Sequence, residues 1–517
     1  MNKTESKLRV VLGNVLLAMT LLAGCAQTRS SHAQMRSDEP PPAPREFRAA
    51  WVATVSNIDW PTKPGLTTQQ QQQEAIAILD RAKELNLNAI VLQVRTSADA
   101  LYASRYEPWS YFLTGEQGKR PDPYYDPLEF WVSESHKRGI QLHAWFNPYR
   151  ARHGGAKYEA SPDHVSRRNP KIVREFNNWQ WLDPAERGAQ DLTYNVFMDV
   201  VRRYDVDGIH IDDYFYPYPD YLKNAEFPDD EPWQRYQKSG GKLSRDDWRR
   251  AQVDQLIERV YQGTKKLKRH VQFGISPFGI SRPGRPPEVK STFDQYAKLY
   301  ADTELWLAKG WLDYWTPQLY WTTGSPQPYE PLLRFWVGKN TKNRNLWPGN
   351  FTSKLGEKPK EGEPDQWTPE ELIRQIEITR DIQGASGNVH FSMRSFMRND
   401  RGIVEALKQG PYREPALVPT SPWLDDRPPN PPDARLMRGG TQAIALRPGR
   451  GERIALYSVY TRHGDQWKFN TFPADTRTIE LRPDPQLGPV TRVAVAAVDR
   501  LGNESRRVMI DLPQRGQ

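Results

Sequence analysis

Hydrophobic positions along this chain gather into short apolar runs, separated by longer segments in which they recur at helical spacing. The runs are FRAAWVATV (47–55), NAIVLQVR (88–95), IQLHAWFNPYR (140–150), GIHIDDYFYP (208–217), VQFGISPFGI (271–280), LDYWTPQLYW (312–321), NLWPGNF (345–351) and NVHFSMRSF (388–396). Between them, QEAIAILDRAKELN (73–86) spaces Ile76, Leu79 and Leu87 as one helix face does. DPLEFWVSESHKRG (126–139) ends on Gly139, and TPEELIRQIEITRDI (368–382) opens with a Thr-Pro-Glu-Glu start. Strands alternating with helices over 46–410 predict an α/β fold, a (β/α)8 TIM barrel. The alternative is a doubly wound sheet, but no glycine-rich phosphate turn follows the first strand.

The two ends differ from this middle. Residues 411–432 are proline-rich and read as a linker. Beyond them QAIALRP, RIALYSVYTR, TRTIELRP and VTRVAVAAVDRLGN read as short strands divided by turns, so 433–517 resembles a fibronectin type III-like β-sandwich. At the other end Lys3, Lys7 and Arg9 precede an apolar run, Val10 to Leu22, and then Leu22-Ala23-Gly24-Cys25. Residues 1–24 are therefore expected to be a signal peptide, too short and wrongly flanked for a spanning helix. The Leu-Ala-Gly-Cys ending resembles a bacterial lipobox, which implies lipidation of Cys25, the chain's only cysteine. Ala26, where an aspartate would signal retention, implies sorting to the outer membrane, facing the periplasm. Polar, proline-rich residues 25–45 read as a flexible tether. A protein with one cysteine has no internal disulfide and relies on its core.

Composition changes the picture little. The formal charge is +9, yet no run of five Lys or Arg occurs and no nucleic-acid module is present, so nucleic acid is not an expected partner. Protein partners are not legible. The 18 Trp and 23 Tyr supply more aromatic surface than a core needs.

In a barrel of this kind the chemistry sits at the C-terminal strand ends. The fourth run carries the densest polar set, Asp207 to Pro217. If Ile209 and Ile211 pack under the helices, His210 and Asp212 face the barrel mouth, while Asp213 points away unless the strand has already ended. The other rims add Trp51, then Trp145, Asn147 and Arg150, then Ser276, then Gln318, Tyr320 and Trp321, then Asn350. Sugar rings stack on Trp and Tyr faces such as Tyr214, and Asn, Gln and Arg bind hydroxyl and amide groups. No Gly-x-Ser-x-Gly occurs, which removes the serine hydrolase reading.

At these residues the sequence resembles the glycosyl-hydrolase-like family ten. The matching stretches are Arg48 to Val55 with Asp59-Trp60-Pro61, Pro108-Trp109-Ser110, His143 to Arg150, Val206-Asp207-Gly208, Asp212 to Tyr216, Ser276-Pro277, Tyr300 to Thr303, Leu312-Asp313-Tyr314 and Pro317 to Trp321. The resemblance implies a glycoside hydrolase barrel. Within one lipoprotein group of that family it implies cleavage of peptidoglycan glycan already stripped of stem peptides. A fainter likeness to chitinase-type barrels, whose fourth strand reads D-G-x-D-x-D-x-E, aligns His210, Asp212 and Tyr214, but the acidic Glu is absent.

Glycoside hydrolysis needs one carboxyl to protonate the leaving oxygen, and a second carboxylate or the substrate's acetamido group on the opposite face. Asp212 is expected to be one partner, with Asp213 supporting or replacing it. Asp302 is the remote candidate for the other, although a helix N-cap explains Asp302-Thr303-Glu304 equally well. Glu107 and Asp99 are weaker candidates. Stripped glycan exposes lactyl carboxylates, which Arg95, Arg150 and Arg394 are placed to receive. The expected partner is therefore peptidoglycan or a related acetamido-sugar glycan, with the membrane engaged through lipid and no cofactor or metal required. Two rivals remain: a non-catalytic glycan-binding lipoprotein, and a metal-dependent deacetylase using His210, Asp212, His143 and His390.

Overall fold

Strands β1 (Phe47–Val52) and β2 (Ala89–Arg95) are buried at every residue, as expected of parallel strands covered on both faces. They continue in register through β3 (Gln141–Phe146), β4 (Gly208–Ile211), β5 (Gln272–Ile275) and β6 (Tyr314–Trp315). This computed structural model describes residues 38–359, 365–437, 442–451 and 453–513. Residues 1–24 and Cys25, read above as signal and lipidation site, lie outside the described residues.

The curled parallel sheet has nine segments, and its two outermost members are Asn345–Leu346 and Gly349–Asn350. They are halves of one extended run, β7, parted by Trp347 and Pro348. The first half pairs with β6 and the second with β8 (Gly387–His390), which pairs in turn with β1. Backbone bonds bridge the break, from Trp347 N to Trp315 O (2.9 Å) and from Val389 N to Pro348 O (3.0 Å). Proline lacks the N–H a continuous ladder would need, so the strand is split while the curl still meets itself.

Helices cross back between strands. α1 (Thr68–Glu84) opens on a capping box made by Thr67 and Gln70. α2 (Pro127–His136) begins with Asp126 as N-cap and proline at its first position. α3 (Arg187–Arg203) and α4 (Arg245–Leu267) cover β4, and their buried faces join the strands' outward side chains in one large core. After β3 an antiparallel excursion (Arg150–Arg152, Val173–Phe176, Trp179–Leu182) stands beside the rim.

The C-terminal region folds as two antiparallel sheets. Strands β9 (Asp433–Leu436), β10 (Ala443–Arg447) and β13 (Thr478–Glu480) form the smaller one. Strands β12 (Gln466–Pro473), β11 (Leu456–His463), β14 (Val490–Val498) and β15 (Val508–Asp511) form the larger. Ile444 and Ile479 of the first pack with Tyr457, Val493 and Val495 of the second in a core of their own.

This unit sits under the barrel, against the N-terminal ends of its strands. Gln141 Nε2 donates to Arg500 O (2.8 Å), and Arg500 Nη1 reaches Asp205 (2.6 Å). Residues 411–432, expected to be a linker, lie along the same face: Asn345 Nδ2 donates to Ser421 Oγ (3.0 Å) and Trp423 Nε1 to Asp313 Oδ1 (2.9 Å). Of the tether expected over 25–45, the described part, from Asp38 onward, is held on the C-terminal sheet rather than left free.

Candidate active site

Strand β4 ends at Ile211, so the backbone is already turning when it reaches the two aspartates. Alternation therefore no longer separates them: Asp212 and Asp213 are both buried, at 3% and 4% exposure. Trp145 Nε1, from the end of β3, donates to Asp212 Oδ2 at 3.0 Å. Asn147 Nδ2 lies 3.3 Å from each of its carboxyl oxygens. The amide of Asn147 cannot flip, because its oxygen accepts the backbone N–H groups of Tyr149 (3.3 Å) and Arg150 (2.8 Å). Tyr218, four residues beyond Tyr214, donates its hydroxyl to Asp213 Oδ2.

These donors favour ionised carboxylates, but burial opposes them and prevails. Asp212 is pushed up to about 7 by loss of water and by the neighbouring charge of Asp213, against the pull of Arg150, Trp145 and Asn147. Asp213 is also raised by burial, opposed by Tyr218 and Gln318. Two adjacent acids that resist ionising together titrate as a pair and keep a proton near neutral pH. That is the equipment of a general acid in glycoside hydrolysis.

The model of the glycosyl hydrolase-like 10 family matches residues 46–366, from the first barrel strand to the seventh and beyond. The chain belongs to that family. Glycosyl hydrolase YngK of Bacillus subtilis (strain 168) is 37% identical over 479 residues, covering 89% of this chain and 92% of its own length. Glycosyl hydrolase DigH of Escherichia coli (strain K12) is 34% identical over 420 residues, covering 75% and 93%. This member of the glycosyl hydrolase-like 10 family is accordingly a glycoside hydrolase.

Around the aspartate pair of this family member the rim is aromatic and half-open. Tyr214, Gln318, Tyr320 and Trp321 are each partly exposed. Tyr320 leans on Phe351 at 4.6 Å, and Trp321 meets Phe278 edge-on at 5.5 Å. Gln318 is oriented by its bond to Ser276 O (2.9 Å). The guanidinium of Arg150 lies 5.0 Å from the centre of the Tyr214 ring and is 3% exposed. Its Nε donates to Thr96 O (3.0 Å), and among the described residues it forms no ion pair.

Four of the expected site residues are engaged elsewhere. Arg95 is fully buried and locked onto Glu107 (2.5 Å), with Nη1 on the carbonyls of Asn147 (2.7 Å) and Pro148 (2.8 Å), so it cements the ends of β2 and β3 instead of meeting substrate. Asn350 is saturated by Gln375 (2.8 Å) and Asn388 (2.8 Å) within the barrel wall. Asp302 is an N-cap: its Oδ1 accepts Leu305 N (3.1 Å) at the start of α5 (Thr303–Lys309), in the helical layer. His210 is wholly buried. Its Nε2 faces Trp51 Nε1 (3.3 Å) and Ser276 Oγ (2.9 Å), and its Nδ1 faces Tyr314 OH (3.1 Å).

Indole N–H only donates, so His210 Nε2 is the bare nitrogen and Nδ1 carries the proton. Tyr314 then donates its hydroxyl to His143 Nδ1 (2.9 Å), and His143 Nε2 donates to Gln141 Oε1 (3.2 Å). Burial lowers both histidines, His143 to about 4, which keeps the chain neutral. Gly208 and Gly274 make room for it, since a Cβ on either would collide with His143 or Tyr314. The thought of a metal held by His210, His143 and His390 finds no convergence here: His390 bonds separately to Thr352 (3.0 Å) and Tyr412 (2.9 Å).

Arg394 is half-buried in the short helix Met393–Arg398 that follows β8, and its backbone amide donates to Asp59 Oδ1 (2.7 Å). Asp59 also accepts Ala53 N (2.7 Å) and Ser392 Oγ (2.7 Å). Asp99 is held by Thr96 (2.6 Å) and Gln117 (3.2 Å). Sequence reasoning passed over Tyr218, although the run Asp213-Tyr214-Phe215-Tyr216-Pro217-Tyr218 offered the signal: a phenol just past two acids.

Proposed function

We propose that this glycoside hydrolase cleaves the glycan strands of peptidoglycan, specifically strands stripped of stem peptides, with the Asp212–Asp213 pair supplying the proton to the leaving oxygen. The observation that carries the reading is the raised, buried aspartate pair beside a buried arginine that forms no ion pair among the described residues. Arg150 fits the lactyl carboxylate that stripped muramic residues expose, because a desolvated guanidinium without a protein counter-ion gains most from a charged acceptor. Arg394 is the second candidate for that role. Trp145, Tyr214, Tyr320 and Trp321 offer ring faces and edges to the sugars, and Trp51 backs the site through His210.

The remaining rim carboxyls, Asp59, Asp99 and Glu107, are each occupied by protein donors. The nucleophile proposed for the opposite face is the substrate's own acetamido group, a route that retains configuration. The enzyme works in this reading at the cell envelope, lipid-anchored through Cys25 in the outer membrane and facing the periplasm. The C-terminal two-sheet unit is fibronectin type III-like.

The test is incubation of the mature protein with intact and with amidase-stripped peptidoglycan, followed by mass spectrometry of soluble fragments. Disaccharide-repeat products from the stripped material alone are expected. Equal release from both materials would remove the requirement for stripping, and release from neither would overturn the substrate.

A further inference from the structure

The larger C-terminal sheet carries Arg462 and Arg492 on two paired strands and Arg507 just before β15, and all three reach the same short stretch of chain. Arg462 of β11 pairs with Asp38 Oδ1 at 2.8 Å, and Arg492 of β14 donates to Asp38 O at 3.3 Å. Arg507 Nη1 meets Pro40 O at 2.7 Å, and its Nη2 meets Pro41 O at 3.0 Å. The Arg507 guanidinium also lies 4.4 Å from the centre of the Tyr460 ring, and Ala43 packs into the cluster of Tyr460, Phe469 and Leu417. Arg45 then donates to Val418 O (3.2 Å) and Gly502 O (2.6 Å), after which β1 begins.

The chemistry is matched on both sides. Four of the seven residues from 38 to 44 are prolines, which offer carbonyl acceptors and no N–H donors. Arginine offers donors only. Arg462 and Arg492 stand directly opposite one another across two strands, an arrangement that repels unless an acceptor lies between them. Asp38 provides one for both, in addition to Asp465 on Arg462 (3.3 Å) and Asp511 on Arg492 (2.5 Å).

We propose that the C-terminal unit is a clamp for the chain's own N-terminal tether, and that the clamp turns the catalytic rim away from the anchoring point. The orienting role rests on the proposed lipid at Cys25; the clamp itself does not. The C-terminal unit is fixed to the barrel's underside, opposite the strand ends that carry Asp212 and Asp213. Holding residues 38–45 there makes the chain leave from that side. Only residues 26–37 then separate Cys25 from the clamp, a span of no more than ~47 Å. Freed back to β1, the tether would reach well beyond that and let the barrel lie with its rim against the bilayer.

Spin labels at Glu39→Cys and Glu116→Cys, in a full-length Cys25→Ser background, read the clamp directly by pulsed electron resonance. A single narrow distance distribution is expected, broadening markedly on adding Arg462→Glu with Arg507→Glu. A distribution already broad without the charge reversals, or unchanged by them, overturns the clamp. Because those changes could perturb the sheet, Asp38→Lys with Ala43→Asp, made only in the tether to set a cation against Arg462 and Arg492 and a charge in the Tyr460–Phe469 cluster, must reproduce the broadening.

For the orienting role, the wild-type chain and the tether variant are coupled through Cys25 to maleimide-lipid vesicles. Each is then given stripped glycan, either soluble or fixed on beads. The variant is expected to match wild type on soluble strands and to be several-fold slower on beads; equal rates on beads overturn the orienting role. Absence of cleavage even on soluble strands would count against the proposed substrate and leave the spin-label result standing.

Discussion

Two aspartates sit at opposite ends of one four-residue strand and live in opposite electrostatic conditions. Asp207, just before β4, is buried among partners: His136 Nε2 at 2.8 Å, the Leu142 amide at 2.9 Å and Arg500 Nε at 3.2 Å. Despite burial, these hold its carboxyl well below the usual range. Asp212, just after β4, is buried as deeply, but its nearest cation, Arg150, does not pair with it, and a second acid stands beside it. Its carboxyl is pushed up to about 7. The underside spends its charges on holding two units together, whereas the rim leaves charges unresolved where a substrate can resolve them. Burial alone does not mark a functional acid; burial without compensation does.

The sharpest way to break that comparison is to neutralise each aspartate in turn. Asp212→Asn should lower kcat/KM on stripped glycan by about 10²–10⁴-fold, the usual cost of losing a general acid. It should also stabilise the fold at alkaline pH. The folded carboxyl keeps its proton up to about pH 7, while an unfolded one releases it near 3.8. The group's stabilising contribution is therefore complete below ~4 and is lost as pH rises towards 7. At pH 8 the variant should gain roughly 1–3 kcal/mol by denaturant titration, and no gain would mean that the buried charge is better compensated than the structure implies.

The underside predicts the reverse pattern. Arg500→Leu takes one cation from Asp205 and Asp207, leaving Arg453 on the first and His136 on the second, and should cost about 2–4 kcal/mol of stability, with kcat/KM within about twofold of wild type under folding conditions. A loss of activity without loss of stability would show that the underside communicates with the rim, a role the neutral relay from Gln141 to His210 is shaped to carry.

How much of this was legible in the sequence follows from the same physics. Apolar runs at strand spacing, with capped helices between them, set out the barrel because burial on both faces leaves a strong pattern. The Asp212–Asp213 position was legible as well. The N-cap alternative for Asp302 was legible too, from Asp302-Thr303-Glu304; the fate of Arg95 and Asn350 was not, because a strand-end residue shows its place along the chain but not which long-range partner claims it. Arg95 finds Glu107 twelve positions on, and Asn350 finds Asn388 across the neighbouring strand. The tether looked flexible by composition, and its described part is held by Arg462, Arg492 and Arg507, which only folding brings together.

Arg150 sharpens the rim side of the comparison. Replacing it with Gln should lower kcat/KM on stripped glycan by about 10–100-fold, the worth of a charge-assisted pair. Neutral acetamido-sugar oligomers should suffer only a few-fold. Equal losses on both would assign Arg150 to the structure of the rim and remove it from recognition of the lactyl group.

The smallest effect is the most discriminating, because two substitutions should move one titration in opposite directions. Arg150 lowers the pKa of Asp212 and the charge of Asp213 raises it. Arg150→Gln should therefore move the Asp212 midpoint upwards, and Asp213→Asn should move it downwards, each by roughly one pH unit or less. Carbon-13 NMR of the Asp212 carboxyl reads the midpoint whether or not the variant still turns over, and the alkaline limb of the pH–rate profile should follow it where activity survives. Movement in the same direction for both would mean that the shift comes from repacking rather than from charge. Movement in opposite directions, with no matching response at Asp207, would locate the tension in the rim pair and separate the two ends of β4 by what each charge still lacks.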